Sequence, residues 1–322
     1  MSATSLRTAA AARNLQIGAA VAAGPLQDDR LYAETLGREF GLVTPENVAK
    51  FGPVHPEQDR YHFGPLDAIV EFAGRHQMQA RGHTRVWHSQ LADWVTAAER
   101  SPEGWRGLLS DHVAAVVGRY RSRITAWDVV NEALNDDGSL RDTPWLRALG
   151  PEYLDLAFCL AHQADPEARL FYNDYGAEGM GTKSDAVVTL ARDFLDRDLP
   201  LHGVGLQMHV GVGHCPPPEQ VAANMARLAE LGLEVQITEL DVRVEAPFRD
   251  EDLRRQTDIY RDLLQVCLEA PNCTALIFWG FSDCHSWVPS FFKGWGKALI
   301  FDDEYRPKLA YEALLKTLVE PL

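Results

Sequence analysis

The sequence alternates short apolar runs with amphipathic helical stretches along almost its whole length of 322 residues, and this alternation limits the fold more than any other feature. Runs with the length and apolar character of buried β-strands occur eight times. They cover residues 16–22, 40–44, 78–85, 124–130, 169–172, 203–207, 234–238 and 275–278. Helical patterns lie between them, for example at 66–76, 105–120, 153–164, 184–196, 219–231 and 252–268.

The stretch 252–268 shows the helical pattern well, because its apolar side recurs at spacings of three and four residues. That side consists of Leu253, Gln256, Ile259, Tyr260, Leu263, Leu264 and Cys267. Strands that alternate with helices predict a parallel sheet, and eight such units predict closure into a barrel. No Pro-, Gly- or Ser-rich stretch resembles a linker. We therefore predict an α/β protein with one domain over residues 1–322, a (β/α)₈ TIM barrel.

Composition narrows the range of partners. Hydrophobic residues make up 46% of the chain, which is enough for a large core, and the formal net charge is -15. Such a surface repels phosphate backbones, so we expect no nucleic acid as a partner, and a neutral polymer or small neutral ligand fits better than a polyanion. The alternative is that the charge only keeps the protein soluble.

The N-terminal stretch leaves the cellular location open. No apolar run approaches the roughly eighteen residues of a membrane-spanning helix, so we expect no membrane partner. Residues 1–13 are rich in alanine but lack the strongly apolar segment of a signal peptide. Our expectation is a secreted protein whose signal is absent from this sequence. The alternative is a cytoplasmic protein that acts on an imported substrate.

Five cysteines form no C-x-x-C pair, which argues against a zinc ribbon or a redox motif. They are Cys159, Cys215, Cys267, Cys273 and Cys284. Cys267 and Cys273 lie six residues apart around Pro271. They form either a small disulfide loop or two buried thiols, and the sequence favours neither.

Each predicted strand begins apolar and ends in polar or aromatic groups that a core would not accept. In a (β/α)₈ barrel the C-terminal strand ends form one rim, which carries the active site. Side chains from distant parts of the sequence therefore converge there: Glu46, Asn47, His83, Trp87, His88, Asn131, Glu132, Tyr175, Gln207, His209, Glu239, Asp241 and Trp279. Carboxylates, amides, imidazoles and indoles are the groups with which proteins bind neutral sugars.

Glycoside cleavage requires two carboxyl groups, one that protonates the leaving oxygen and one that stays ionised. Glu132 and Glu239 each follow an apolar strand, where a carboxyl group is costly unless it has partners. They are our candidates for this pair, and the alternative is two buried glutamates in structural ion pairs. His209 could lie between Glu239 and Asp241 and keep Glu239 ionised.

A metal site is a competing interpretation, in which His83, His88, His209 and Asp241 would be the ligands. The close H-E-x-x-H spacing of many catalytic zinc sites is absent, so we expect no metal. The sequence also lacks the G-x-G-x-x-G and P-loop motifs of nucleotide sites. We therefore expect no cofactor, and we expect the histidines to donate hydrogen bonds to sugar and carboxylate groups.

The strand-end residues resemble glycoside hydrolase family 10, the xylanases, over nearly the whole chain. The matching stretches are TPEN at 44–47 with Lys50, RGHT at 81–84, VWHSQ at 86–90, WDVVNEA at 127–133, YNDY at 172–175, GLQMH at 205–209, ITELD at 237–241, and FWG at 278–280 with Trp287. Some of these stretches are weak signals alone, but together, in this order on successive strand ends, they are very specific.

The resemblance implies a retaining endo-1,4-β-xylanase that acts on xylan and xylo-oligosaccharides, with Glu132 as acid/base and Glu239 as nucleophile. It implies that Asn131, His83, Gln207 and His209 line the −1 subsite and that Glu46, Asn47 and Lys50 hold the −2 sugar. Trp87, Trp279 and Trp287 would wall the glycone side, Tyr175 the +1 side, and Gln90 would also contact substrate. Asp241 and Trp127 would lie behind these residues. We expect a monomer.

The sequence departs from the family pattern at three places. Arg85 stands where an apolar residue is usual, Phe51 stands where a tryptophan usually follows the lysine, and the segment 291–297 is unfamiliar. Three rival functions remain open at this point: a related enzyme acting on cellulose or mixed-linkage glucan, an inactive carbohydrate-binding barrel, and a metal-dependent hydrolase.

Overall fold

The computed structural model describes residues 4–320, and this part of the chain contains ten β-strands. They are β1 (Gln16–Val21), β2 (Leu42–Pro45), β3 (Gln79–Val86), β4 (Ala126–Asn131), β5 (Arg169–Asp174), β6 (Gly203–Leu206), β7 (His209–Gly211), β8 (Glu234–Glu245), β9 (Cys273–Phe278) and β10 (Trp295–Gly296). Eight of them match the predicted strands, with ends that differ by a few residues.

The same part of the chain contains fourteen α-helices. They are α1 (Leu6–Ala11), α2 (Ala23–Asp28), α3 (Arg30–Glu39), α4 (Phe51–Val54), α5 (Gly64–Arg75), α6 (Asp93–Ala97), α7 (Pro102–Arg119), α8 (Pro144–Leu149), α9 (Tyr153–Ala164), α10 (Thr182–Asp196), α11 (Pro218–Glu230), α12 (Asp250–Glu269), α13 (Val288–Phe291) and α14 (Leu309–Val319). All six predicted helices are present. Their ends follow local signals: α7, for example, begins at Pro102 after Ser101, whose side chain accepts from Gly104 N.

The sheet closes on itself. β1, β2, β3, β4, β5, β6, β8 and β9 pair in this order, and β9 pairs with β1, so the eight parallel strands form a barrel surrounded by helices. The predicted single-domain (β/α)₈ barrel is thereby confirmed. Its two faces differ: the connections at the C-terminal strand ends are the long, irregular ones that carry the polar residues.

One strand is longer than the sequence pattern indicates. β8 runs to Glu245, beyond the predicted end at 238, and its outer half leaves the barrel. There it pairs with β7 in parallel and with β10 in antiparallel fashion. These added hydrogen bonds satisfy backbone groups that would otherwise lack partners, and this is why the strand continues past the rim.

The core lies inside the barrel and between the barrel and its helices. α12 illustrates it: Gln256, Tyr260, Leu263, Leu264 and Cys267 of the predicted apolar side are buried. At one point backbone and ring approach so closely that only glycine fits. A Cβ on Gly82 would lie 1.9 Å from the ring of Trp127, so Trp127 packs directly on β3.

Cys267 and Cys273 are two buried free thiols in the structure rather than a disulfide. A hydrogen bond to Cys273 and burial both raise the pKa of the Cys267 thiol. Within residues 4–320, no helix is both long and apolar enough to span a bilayer.

Candidate active site

A cleft of about 1290 Å³ opens at the C-terminal ends of the barrel strands. Every residue that the sequence analysis assigns to catalysis or substrate binding lines this cleft: Glu46, Asn47, Lys50, His83, Trp87, Gln90, Asn131, Glu132, Tyr175, Gln207, His209, Glu239, Trp279 and Trp287. Asp241 and Trp127 do not line it and are fully buried behind it. The structure therefore brings together all the predicted side chains, in two layers.

Glu132 directly follows β4 and has an unusual backbone conformation. Its φ is +56°, a region that residues with a side chain seldom adopt. Two hydrogen bonds hold it there: its N–H donates to Asn173 O at 2.9 Å, and Arg141 Nε donates to its carbonyl at 3.0 Å. Such strain persists only where surrounding structure enforces it, and it is concentrated at functional sites.

The carboxylate of Glu132 receives three hydrogen bonds. Trp87 Nε1 donates to Oε2 at 2.8 Å, while Asn131 Nδ2 and Gln207 Nε2 donate to Oε1 at 3.1 and 3.0 Å. His88 Nε2 lies farther away, 4.0 Å from Oε2. The side chain remains 13% exposed, so one edge of this carboxyl group is open to the cleft.

Glu239 is more enclosed, with 5% of its side chain exposed. Asn173 Nδ2 donates to Oε1 at 2.7 Å, His209 Nε2 lies 3.1 Å from Oε2, and His83 Nδ1 lies 3.8 Å from Oε1. Burial by itself would raise the pKa of Glu239. The nearby His83, together with the hydrogen bonds from His209 and Asn173, outweighs burial and lowers the pKa to about 2.

His209 lies between Glu239 and Asp241, where the sequence analysis expects it. Its Nδ1 is 2.7 Å from Asp241 Oδ2, so both ring nitrogens face carboxylate oxygens and both donate. Burial would lower the pKa of His209, but Asp241 and Glu239 together raise it to about 10. Trp287 Nε1 also donates to Asp241 Oδ2 at 2.8 Å. The ring is therefore a fixed cation beside Glu239.

Asn173 connects the two glutamates, and the sequence analysis gives it no role although it quotes the stretch that contains it. Its Nδ2 donates to both Glu239 and Asn131, the latter at 2.8 Å. Thr238 Oγ1 donates to its Oδ1 at 2.7 Å and so fixes the orientation of the amide. Its position at the end of β5, among the other polar strand ends, was the available signal.

A second buried group, below the cleft, was also missed. Arg81 on β3 forms an ion pair with Asp128 on β4, and Asp128 Oδ2 lies 3.0 Å from His83 Nδ1. All three side chains are at most 2% exposed. This pair holds the ring of His83 beside Glu239. Trp127, next to Asp128, packs beneath Gly82.

Lys50 lines the cleft close to aromatic rings. Its Nζ donates to Asn47 Oδ1 at 3.1 Å and lies 5.1 Å from the Trp87 ring centroid and 5.6 Å from that of Trp279. Burial lowers the pKa of Lys50, and the charges of Glu239, Glu46 and Glu132 oppose this shift. The cation is thus drawn toward the carboxylates of the cleft.

The opposite wall contains residues that the sequence analysis did not assign. Arg141 Nη2 donates to the Tyr175 hydroxyl at 2.9 Å, and Lys183 Nζ lies 3.7 Å from that ring's centroid. The further lining residues on this side are Gly176, Glu178, Gly179, Met180, Gly181, Thr182, His214, Pro216, Gln220 and Arg243. Most lie in the loops that follow β5 and β7, whereas Gln220 lies on α11 and Arg243 on the outer half of β8. The rule that assigned the strand ends could have been extended along these loops.

The unfamiliar segment 291–297 contributes to the cleft through Phe291 and Phe292. Its later residues Trp295 and Gly296 form β10, which pairs with the outer half of β8. The histidines of the competing metal interpretation lie apart from one another: His88 is near Glu132, whereas His83 and His209 flank Glu239. Within residues 4–320, no group of three or more His, Cys, Asp or Glu side chains is arranged to hold a metal ion.

Comparisons with known proteins agree with this geometry. The family model of glycosyl hydrolase family 10 matches residues 5–317. An endo-1,4-beta-xylanase B from Thermotoga neapolitana is 42% identical over 325 aligned positions. The alignment covers 98% of this chain and 92% of that protein.

Solved structures are similar as well. Xylanase 10B from Thermotoga petrophila RKU-1 in complex with xylobiose superimposes with a TM-score of 0.96 at 41% identity, covering 99% of this chain and 98% of that one. An intracellular xylanase from Thermoanaerobacterium saccharolyticum gives 0.90 at 33% identity, with coverages of 98% and 99%. With the strand-end residues converging on one cleft, these matches establish that the chain is a member of glycosyl hydrolase family 10.

Proposed function

We propose that this protein is a retaining endo-1,4-β-xylanase, in which Glu239 is the nucleophile and Glu132 the general acid/base. The observation that carries the proposal is the difference between the surroundings of the two carboxyl groups. Glu239 is enclosed by cationic and amide donors that keep it ionised, whereas Glu132 has one edge open to the cleft. Two carboxyl groups with different environments are what double displacement requires.

In the first step a carboxylate oxygen of Glu239 attacks the anomeric carbon and the glycosidic C–O bond breaks. The proton of Glu132 moves to the departing oxygen, so the leaving sugar departs as a neutral alcohol. The products are a glycosyl ester on Glu239 and an ionised Glu132. One negative charge has therefore moved from Glu239 to Glu132, and the total charge of the pair is unchanged.

In the second step Glu132 removes a proton from a water molecule, whose oxygen attacks the anomeric carbon. The ester bond breaks, Glu239 becomes a carboxylate again and Glu132 is reprotonated. His209 supports both steps, because its charge favours the ionised form of Glu239. Two inversions at one carbon give net retention, so a β-linked substrate yields a β-configured product first.

The shape of the cleft supports cleavage within a chain. Glu46, Asn47 and Lys50 follow β2, while the wall beyond His209 follows β6. In the order of the eight barrel strands these two lie opposite each other. A sugar chain that crosses the barrel would therefore contact both ends of the cleft, with Glu132 and Glu239 near the middle.

We propose xylan and xylo-oligosaccharides as the substrates, with Glu46, Asn47 and Lys50 at the −2 sugar. Xylose lacks the hydroxymethyl group of glucose. Lys50 is held close to Trp87 and Trp279, and this crowding supports discrimination against glucose. The main alternative is a glucan-cleaving enzyme with the same two glutamates.

The test is to incubate the purified protein with xylan, cellulose and mixed-linkage glucan and to follow the first-formed anomer by proton NMR. We expect cleavage of xylan, with the β-anomer appearing before mutarotation. An α-anomer would contradict double displacement, and comparable cleavage of the glucans would replace the xylanase assignment by the glucanase alternative.

We further propose that the protein acts outside the cell, because polymeric xylan does not enter cells. We also propose that it is a monomer. The cytoplasmic alternative draws support from the five free thiols, since reducing compartments preserve thiols. Fractionation of the source cells followed by immunodetection distinguishes the two locations. Light scattering after size-exclusion chromatography tests the monomer, whose mass is 35.9 kDa.

A further inference from the structure

Arg85 is a cation buried without a carboxylate partner. It is 1% exposed, and its guanidinium lies 4.6 Å from the ring centroid of Trp127. Within residues 4–320 no Asp or Glu oxygen approaches it to 4 Å. Burial lowers the pKa of Arg85 to about 9, which leaves the group charged at neutral pH. A buried charge of this kind requires compensating hydrogen bonds.

Two contacts supply part of this compensation, while Nε of Arg85 has no hydrogen-bond partner among the described residues. Nη2 of Arg85 donates to the carbonyl of Ala49, and Nη1 lies 3.5 Å from Nε2 of His112. His112 Nδ1 lies 3.3 Å from His55 Nδ1, and His55 Nε2 lies 3.0 Å from the carbonyl of Gln58.

The end points fix the direction of these bonds. The Gln58 carbonyl can only accept, so His55 Nε2 carries a proton and its Nδ1 accepts from His112. His112 Nε2 is then the acceptor for Arg85. Both histidines are therefore neutral, and burial, as the largest cause, lowers the pKa of each.

The Ala49 carbonyl belongs to the peptide group that carries Lys50. On one side of this peptide, Lys50 N–H donates to the Asn47 carbonyl at 2.9 Å; on the other, the Ala49 carbonyl accepts from Arg85. The segment lies outside helices and strands, and among the described residues Arg85 is the donor to this carbonyl. The two bonds fix the plane of the peptide, and the plane sets the direction in which the Lys50 side chain leaves the backbone.

Phe51 packs against His112, the residue that contacts Arg85. Its ring stacks on His112, with centroids 3.9 Å apart and an interplanar angle of 14°. Arg85 and Phe51, two of the departures from the family pattern, thus meet at the same imidazole. Both lie directly behind the loop that carries Asn47 and Lys50, and neither lines the cleft.

We infer that Arg85 is a positioning residue for the −2 subsite: through Ala49 it orients Lys50, and through His112 it is itself held in place. An apolar side chain would fill the same space without the cost of burying a charge. What arginine adds is a directed hydrogen bond to a buried carbonyl that has no other donor within residues 4–320. The inference rests on the proposed assignment of Asn47 and Lys50 to the −2 sugar.

The test compares an aryl β-xylobioside, which fills the −2 and −1 subsites, with the aryl β-xyloside, which fills only −1. The quantity measured is the ratio of their kcat/KM values. We expect Arg85→Leu to reduce this ratio by about tenfold, which corresponds to about 1.4 kcal/mol. The loss should appear mainly with the xylobioside. Arg85→Lys, which keeps a charged donor, should restore part of the ratio.

The control is Leu228→Ala on α11, a buried side chain across the barrel from the β2 loop. It should lower the melting temperature without changing the ratio. If Arg85→Leu does not fold, Arg85→Lys alone still has to give a ratio below that of the unaltered protein. If folded Arg85 variants keep the same ratio of kcat/KM values, Arg85 only packs in the core and does not position Lys50. If the unaltered protein itself does not prefer the xylobioside, the −2 assignment fails instead.

Discussion

Glu132 and Glu239 are chemically identical side chains with different surroundings, which is why we propose different tasks for them. The donors to Glu132 are neutral indole and amide groups, while Glu239 faces the His209 cation and the ring of His83. A neighbouring positive charge favours the ionised carboxylate more strongly than a neutral donor does. Three predictions follow at the scale of single residues.

Glu239→Ala should reduce the rate on xylan by several orders of magnitude, because the covalent pathway is lost. Azide fits the space left by the side chain and should restore turnover of an activated aryl xylobioside. The product should be the α-glycosyl azide, since only one inversion occurs, and NMR identifies it. A variant that keeps more than about a tenth of the activity, about 1.4 kcal/mol in barrier height, would exclude Glu239 as nucleophile.

Glu132→Ala should affect substrates according to their leaving groups. Xylan has a poor leaving group that requires protonation, whereas dinitrophenolate departs without it. We therefore expect a large loss on xylan and a much smaller loss in the first step on a dinitrophenyl xylobioside, measured by pre-steady-state release of the phenol. Equal losses on the two substrates would remove Glu132 from the acid/base role.

The charge of His209 should depend on pH and on Glu239. Its folded-state pKa of about 10 lies above the ordinary 6.5, so the stabilisation from its charge is complete below pH 6.5 and disappears as the pH rises through 10. Glu239→Gln removes one of the two carboxylates and should lower the pKa of His209. Nitrogen-15 NMR of the ring reports the titration directly. A neutral His209 at pH 7 in the unaltered protein would contradict the imidazolium assignment.

At the scale of elements, an ion pair connects β3 and β4 in addition to their backbone hydrogen bonds. Arg81 and Asp128 form a fully buried ion pair between them, and Asp128 also bonds to His83 on β3. The two strands carry catalytic-cleft residues at their ends, His83 and Glu132 among them. The pair therefore links the stability of the barrel to the geometry of the cleft.

Asp128→Asn should destabilise the protein by about 3–5 kcal/mol, because it leaves the buried Arg81 charge without a counter-ion. Chemical denaturation monitored by circular dichroism measures the change. The matched control is Asp155→Asn, which breaks an ion pair with Arg197 at the surface, where such pairs contribute about 0–1 kcal/mol. Similar losses of unfolding free energy in the two variants would show that the buried pair stabilises the protein no more than the surface pair does.

At the scale of the whole molecule, the proposed sugar choice depends on residues that the barrel brings together from both ends of the chain. Glu46, Asn47 and Lys50 follow β2, and Trp279 and Trp287 follow β9, the last barrel strand. These two strands flank β1 in the closed sheet. Closure of the barrel therefore brings the residues of the proposed −2 pocket together from segments more than two hundred residues apart.

An aryl cellobioside should be cleaved with a kcat/KM at least about tenfold below that of the aryl xylobioside, or about 1.4 kcal/mol, since the proposed −2 pocket would crowd a hydroxymethyl group. Lys50→Ala should lower the preference for the xylobioside over the xyloside, because remote binding energy is lost. Initial rates on the three aryl glycosides measure both ratios. Equal rates on cellobioside and xylobioside would favour the glucanase alternative and leave both glutamates in their roles.

The sequence alone predicted the barrel because its signals are local. A period of two or a continuous apolar run indicates a strand, a spacing of three and four indicates a helix, and eight alternations leave few other topologies. The polar strand ends then pointed to thirteen residues at one rim, twelve of which line the cleft, since all parallel strands of a barrel point the same way. Lys50, Gln90 and Trp287 were assigned from the family resemblance. No contact between distant residues was needed for either conclusion.

Only the tertiary structure decided what depends on contacts between distant segments. The outer half of β8 exists because β7 and β10 pair with it, and a sequence pattern does not reveal such partners. The position of Asn173 at a polar strand end marks it for the cleft, but no sequence pattern reveals that its amide joins Glu239 to Asn131. Arg85 is an isolated cation in sequence and acquires its role from Ala49 and His112, which only the folded chain brings to it. Hydrogen bonds are short-ranged and directional, so residue types alone do not specify which pairs will form.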